Sequence, residues 1–351
     1  MVETKSRRAR LARVASIAAS LTLVVTGVAS AQSPSAGADP VVPGMGNPTP
    51  AICEGNTYVL GYDVFSDTEN FAAATIEGMN RVAAELGCVE LVTLIDNADP
   101  IQAVANAKTF VQREVDGAML FNVIAAAGPG MATELNAAGI PLTSIVVKVE
   151  GAPFLGVDEY NAGFTGGEAL AQAFAAKYPG EVPYAINGRF DASGADSGIP
   201  RMDGFRDGIK SIFPDLPADN YLEIDTAATP ATASANTLSV LNRIPADGKI
   251  ILGGINDENT YAMFQATRQA GRQDNVMVMG IGGVKPTGLE FVCQNPQYAG
   301  VVGFFPENWP AYMLPTTIAL IQGKEVPAFT SIPTEIITRE NINEFYPDFA
   351  C

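Results

Sequence analysis

The sequence predicts an α/β fold built as two doubly wound parallel-sheet lobes. Three observations predict it. From Thr57 onward, short apolar runs alternate with amphipathic helical stripes, and repeated strand–helix–strand units imply parallel sheets with right-handed crossovers. The chain has 351 residues, more than one hydrophobic core ordinarily fills. A second strand–helix series begins near Asn161, as a new sheet would.

In the first series, Tyr58 to Tyr62 reads as a strand. Phe71, Ile76, Met79, Val82, Ala83 and Leu86 form a helical stripe that Gly87 ends. Leu91 to Ile95 is a strand. Asp99-Pro100 caps a helix that runs through Val104 and Val111 to Val115, with proline at its first position. Gly117 to Phe121 is a strand, Met131 to Ala138 a helix, and Pro141 to Val147 a strand. In the second series, Gly163 to Lys177 is a helix and Pro183 to Asn187 a strand. Ile199 to Ile212 is a helix, Tyr221 to Asp225 a strand, and Ala231 to Arg243 a helix. Pro306 to Gly323 reads as a further helix, and Ile332 to Thr338 as a last strand.

The most informative stretch is Lys249 to Gly283. Ile250 to Gly254 is a strand. It ends in Asn256-Asp257-Glu258-Asn259, four hydrogen-bonding side chains in a row. A helix follows to Gly271, then a strand from Val276 to Met279 that ends in Gly280-Ile281-Gly282-Gly283. In open α/β sheets ligands bind beyond the carboxyl ends of strands, so both clusters can present a small-molecule site.

Composition narrows the function. The chain contains no histidine, which removes histidine triads, histidine general bases and histidine metal ligands. Its four cysteines form no C-x-x-C pair, so no metal site or other cofactor is expected. No paired carboxylates stand at a reasoned spacing, which disfavours a secreted carboxylate enzyme and favours a binder. The formal net charge of −17 would be repelled by a phosphate backbone, so nucleic acid is not an expected partner.

The N-terminus has the three parts of a secretory signal. Lys5, Arg7, Arg8, Arg10 and Arg13 are basic, Val14 to Val28 is apolar, and Ala29-Ser30-Ala31 is a small-x-small cleavage site. A signal peptide over 1–31 puts the mature start at Gln32. No cysteine follows the apolar core for lipid attachment. Residues 32–54 are expected to be a disordered leader, on the proline, glycine and small residues of 32–50. The expected location is therefore periplasmic or secreted. An oxidising compartment suits disulfides. Of the three pairings four cysteines allow, Cys53–Cys88 would tie neighbouring strand starts, and Cys293–Cys351 would then close the tail onto the body. Four free thiols are the alternative.

With two such lobes and a signal peptide, the chain resembles the periplasmic sugar-binding proteins of ABC importers, the ribose-binding protein group with the type I periplasmic binding protein fold. The landmarks are the loop Phe65-Ser66-Asp67-Thr68-Glu69-Asn70-Phe71, Ala138-Gly139-Ile140-Pro141, Asp158-x-x-x-Ala162-Gly163, Arg201-x-x-Gly204-Phe205, Asn256-Asp257-Glu258 and Gly280-x-Gly282-Gly283. The resemblance implies a three-strand hinge, with crossings near Gly156–Asn161, Gly303–Pro306 and Ala328–Ile332. Lobe one would hold 55–158 plus 305–328, and lobe two 159–304 plus 329–351. It implies a monomer that takes a small solute between the lobes and delivers it to a permease. A ligand-sensing module for a chemoreceptor is the alternative. The homologous transcription repressors are excluded by the signal peptide and the lack of DNA-binding helices.

The resemblance also nominates ligand contacts. Phe65, Glu69, Asn70 and Phe71 match a loop whose aromatics stack on sugar faces, where apolar faces and π surfaces pair well. Arg201 and Asn256 match polar ligand residues, and Asn187 and Phe190 end a strand at the cleft. The chain departs from the ribose-binding pattern at Val146-Val147-Lys148, Gly282 and Phe304, where polar ligands are usual. Either Lys148, Glu69 and Asp257 compensate, or the ligand carries fewer hydroxyls than a pentose. Plainer roles stand beside these. Phe71 could staple its helix, Arg201 could pair with Asp203 or Asp207 at the surface, and Asn256 could cap a helix. Asp257 could be structural, Gly282 could serve a turn, and Trp309 is expected to pack at the base of its helix.

Overall fold

The computed structural model describes residues 48–191 and 197–351. The proposed signal peptide, its cleavage site and residues 32–47 of the leader lie outside the described residues. Described residues 50–53 of the leader form a 3-10 turn with Cys53 buried and disulfide-bonded. That end of the leader is thus ordered, because the disulfide anchors it to the first sheet.

The elements run β1 (Tyr58–Val64), α1 (Asn70–Leu86), β2 (Val89–Ile95), α2 (Pro100–Gln112), β3 (Gly117–Phe121), α3 (Gly128–Ala137), β4 (Leu142–Ile145) and β5 (Phe154–Val157). The second series is α4 (Glu159–Lys177), β6 (Tyr184–Arg189), α5 (Gly198–Ile212), β7 (Tyr221–Asp225), α6 (Pro230–Leu241), β8 (Ile250–Gly254), α7 (Asp257–Gln269), β9 (Val276–Gly282), α8 (Thr287–Gln294) and β10 (Tyr298–Gly303). The chain ends with α9 (Pro310–Ile321), β11 (Phe329–Ile332), β12 (Glu335–Ile337) and α10 (Ile342–Phe345).

Two six-stranded sheets result, in the orders β2-β1-β3-β4-β5-β11 and β7-β6-β8-β9-β10-β12. The two are wound alike, which is the doubly wound α/β architecture expected from the alternating pattern. All pairings are parallel except β10 with β12. The inner strands β3, β4, β8 and β9 are buried throughout, as parallel strands covered on both faces should be.

The chain passes between the sheets three times. It leaves β5 for α4, and leaves β10 through Phe304 and Phe305 for α9, which packs on α1, β3 and β4. It crosses last between β11 and β12. This last crossing corrects two expectations. Ile332 to Thr338 is not one strand, because Pro333 has no N–H to give to a ladder. Phe329–Ile332 pairs with Phe154–Val157, so 329–332 belong to the first sheet and not to lobe two. Two other expected elements are shorter: α2 ends at Gln112, and Pro310 starts α9 after a separate 3-10 turn at Pro306–Asn308.

Both disulfides form as expected, Cys53–Cys88 and Cys293–Cys351. Cys351 brings the tail back beside α8. Phe345 and Tyr346 there pack on Phe305, with ring centroids 5.6 and 5.9 Å apart.

One close helix pair positions the site. A Cβ at Gly163, Gly167, Gly204 or Gly208 would fall 1.8–2.1 Å from a backbone oxygen of the facing helix. Only glycine permits α4 and α5 to approach this closely. The seam sets the start of α4, carrying Glu159, against the start of α5, carrying Arg201.

Candidate functional site

A cavity of about 200 Å³ lies at the carboxyl ends of the strands, walled by residues of both lobes. Phe65, Glu69, Phe71, Phe121, Val123, Val146 and Trp309 come from lobe one. Phe190, Ser197, Arg201, Ala228, Ile255, Asn256, Ile281 and Gly282 come from lobe two, and Phe304 from the second crossing. The wall is largely aromatic and aliphatic, with a few polar groups, as small-ligand sites usually are.

The aromatic side is a packed cluster. Phe71 meets Trp309, Phe121 and Phe304 edge to face at 5.1, 6.2 and 6.2 Å. Phe65 meets Phe121 at 5.2 Å. Trp309 packs at the base of its helix as expected, with its Nε1 donating to the Phe304 carbonyl at 2.7 Å. It also reaches the cavity wall. Edge-to-face contacts hold these rings in place, so the surface is formed in advance.

Arg201 is the polar centre. Its Nε and Nη2 donate to the two Glu159 carboxylate oxygens at 2.6 and 2.8 Å, and its Nη1 donates to the Ile255 carbonyl at 2.6 Å. Its guanidinium carbon lies 5.0 Å from the Phe304 ring centroid. Ser197 Oγ adds a third, longer donor to Glu159 at 3.4 Å. The surface pair with Asp203 or Asp207 is therefore not what forms; those carboxylates take Arg189 and Arg206 instead. A bidentate fork suits the planar guanidinium.

Asn256 caps its helix and also lines the cavity. Its Oδ1 accepts from the N–H and Nδ2 of Asn259 at 3.0 and 2.6 Å, capping α7, while its side chain stands on the wall. Glu69 caps α1, accepting from the Ala72 N–H at 2.9 Å. Burial pushes the Glu69 carboxyl up to about 7; the Ala72 N–H pulls the other way, and nearby Glu258 raises it further.

Five nominated residues stand elsewhere. Asn70 Nδ2 donates to Glu258 Oε1 at 2.7 Å, joining lobe one to lobe two beside the cavity. Val147 is buried behind the wall. Val146 takes its place because its φ of 67° breaks the strand alternation after Ile145. Lys148 is exposed and sits over the Phe154 ring. Asn187 is buried and donates to the Met202 carbonyl and to the Tyr221 hydroxyl. Asp257 is buried and accepts from the Val284 N–H at 3.0 Å. Burial, then Glu258, holds its carboxyl well above the usual range. A Cβ at Gly282 would fall 2.9 Å from the Asp257 carboxylate, so Asp257 supports the Gly282–Val284 turn from behind. Of the three compensating groups considered, only Glu69 faces the cavity.

Phe121, Val123, Val146, Ser197, Ala228, Ile255 and Ile281 also line the cavity and were not nominated. Several could have been found, since Phe121, Val123, Ile255 and Ile281 stand at or just beyond strand carboxyl ends. Among the described residues no group of acidic or cysteine side chains is placed to hold a metal ion. Among the same residues, no helix is long and apolar enough to cross a membrane.

A lobed α/β fold with a walled interlobe cavity defines a binding protein, and residues 61–325 match the family described as periplasmic binding protein domain. The chain belongs to that family, which is one of binding proteins and not of enzymes. Solved structures share the fold. One is an ABC transporter solute-binding protein from Bacillus halodurans with bound myo-inositol, at TM-score 0.68 and 20% identity, covering 84% of this chain and 99% of that one. Another, from Mycobacterium smegmatis with β-D-fucofuranose, has TM-score 0.70 and 19% identity, covering 83% and 95%. A third, an ABC transporter solute-binding protein from the same organism with glycerol, has TM-score 0.69 and 18% identity, covering 82% and 96%. No curated protein sequence matches the chain.

Proposed function

We propose that this protein is an extracytoplasmic solute-binding protein that captures a small solute, a sugar, polyol or related compound, between its lobes and delivers it to an ABC permease. The observation that carries this reading is the cavity itself, walled by Phe65, Glu69 and Phe71 from one lobe and by Arg201 and Asn256 from the other. A ligand touching both walls stabilises the closed arrangement by its differential affinity for it. Phe71, Phe65 and Trp309 serve as the apolar wall. Arg201 and Asn256 Nδ2 are the polar anchors. The bound inositol, fucofuranose and glycerol of the fold relatives support a solute of this size. Export is supported by the basic, apolar and small-residue order of residues 5–31 and by the two disulfides.

Gly282 and Phe304 on the wall offer no side-chain partner to a hydroxyl, and each unpaired buried hydroxyl costs about 1–3 kcal/mol. Ribose should therefore bind weakly or not at all, and a short polyol or deoxy-sugar better. Calorimetry on the exported protein with ribose, glycerol, myo-inositol and fucose tests this, alongside small-angle scattering for the radius of gyration. A smaller radius with a bound solute is expected. Sub-micromolar ribose binding would overturn the specificity, and saturation without compaction would overturn interlobe capture.

A further inference from the structure

Charge in the cavity wall is unevenly accounted for. Arg201 is the only cationic side chain among the described residues of the wall. Both Glu159 oxygens take its Nε and Nη2, and the Ile255 carbonyl takes Nη1. Its charge is thus neutralised by a buried partner before a ligand arrives. Arg189, the last residue of β6, is held by Asp191, Asp203 and Glu223. On the acidic side, Glu69 stands on the wall with no cationic partner among its described contacts. Its neighbour across the cleft is another carboxylate, Glu258, tied to the neutral amide of Asn70. The whole chain adds a net charge of −17. On the same lobe-one wall as Glu69 stand the aromatic rings of Phe65, Phe71 and Trp309, and aromatic faces attract cations.

We infer that the solute captured here carries a protonated amine, seated between the Glu69 carboxylate and the aromatic wall, and that the site rejects anionic solutes. This rests on the solute-capture reading and deepens it. A carboxylate or phosphate ligand would meet an arginine already paired and a Glu69–Glu258 pair that repels it. A neutral polyol would leave the half-buried Glu69 with its helix-cap hydrogen bond but no counter-charge. An ammonium group supplies the missing counter-charge, and burial strengthens both its pairing with the carboxylate and its attraction to the rings. Glu69 ionises at about pH 7 in the free protein, and an alkylamine stays protonated above that. Amine affinity should therefore rise as pH increases from 6 to 8.

Calorimetry on the exported protein with matched trios provides the test: glycerol, 3-amino-1,2-propanediol and glycerate; glucose, 6-amino-6-deoxyglucose and glucuronate; cyclohexanol, cyclohexylamine and cyclohexanecarboxylate. The expected result is a tenfold or greater preference for the amine in at least one trio, increasing from pH 6 to 8, and no binding of the acids. Glu69→Gln keeps an oxygen for the Ala72 N–H and so keeps the helix cap. It should bring the amine down to the level of its neutral partner while the melting temperature is retained. A neutral member that binds as well as the amine in every productive trio overturns the inference and leaves solute capture standing. An amine preference that survives Glu69→Gln, or no amine binding in any trio, also overturns it. Solute capture itself falls only if the neutral sugars and polyols of the preceding section also fail to compact the protein.

Discussion

Arg201 and Glu159 form a two-bond fork, 2.6 and 2.8 Å, across the glycine seam between α4 and α5. Neither side chain is much exposed, at 12% and 6%. Removing one partner of such a pair leaves a buried charge uncompensated, which costs about 3–5 kcal/mol. Arg201→Ala should destabilise the protein by about that much, and adding Glu159→Gln should recover part of it. Urea unfolding of the single and double variants measures both. A single variant with unchanged midpoint would show that the pair is solvated in solution.

Gly163→Ala places a methyl group 1.8 Å from the Arg201 carbonyl oxygen. Backbone cannot yield as a flexible side chain can, so α4 and α5 must separate. A loss of about 1–3 kcal/mol is expected, together with weaker ligand binding, because the Glu159–Arg201 fork spans that seam. Gly139, by contrast, has open space around its Cβ position but a φ of 70°. Alanine there should cost only backbone strain and leave ligand binding unaffected.

The Asn70–Glu258 hydrogen bond joins the lobes directly. A bond to a charged acceptor contributes about 1.5–3 kcal/mol. Asn70→Ala should shift the ligand-free protein toward a larger radius of gyration and weaken ligand affinity by roughly tenfold, since 1.4 kcal/mol is a factor of ten. Scattering without ligand reads the first effect and calorimetry the second. Chemical stability of either lobe should change little.

The Cys53–Cys88 and Cys293–Cys351 bonds close loops with sequence separations of 35 and 58. Chain-entropy arguments give about 3–5 kcal/mol for each. Cys293→Ser with Cys351→Ser should lower the melting temperature and loosen the tail that packs on Phe305. Hydrogen exchange should then rise over residues 338–351 and remain low in lobe one. Uniform exchange would show that the tail is held by Phe345 and Tyr346 alone.

Asp63 is buried beneath α2, where the Asn106 Nδ2 donates to it at 2.7 Å. Burial is the main cause that raises its carboxyl well above the ordinary 3.8; nearby Asp96 adds to it. The folded state therefore holds a proton that the unfolded state releases. This contribution is fully present below the ordinary aspartate value and is lost as pH rises through the folded one. Asp63→Asn, which keeps an oxygen for Asn106, should flatten the decline of stability above pH 4. Melting temperatures from pH 4 to 9 would show it; parallel curves for variant and parent would rule Asp63 out as the cause.

Much of this protein was settled by its sequence. Alternation of short apolar runs with helical stripes determined the two wound sheets, because each element must bury one face against the next layer. Proline at 100 and glycine at 87 marked helix ends through fixed or permissive φ. The strand-end rule and the family likeness brought Phe65, Glu69, Phe71, Phe190, Arg201, Asn256, Gly282 and Phe304 to one cavity. Tertiary structure decided the rest. Val146 replaced Val147 because one positive φ ended the period-two alternation. Asp257 turned inward because a carboxyl fits where Gly282 and Gly288 have no side chains. Glu159 became the partner of Arg201 because four glycines let two helices touch, and residues 42 apart in the chain met there. Local pattern encodes elements and their faces; which polar groups end up opposite each other depends on packing distances that no local pattern carries.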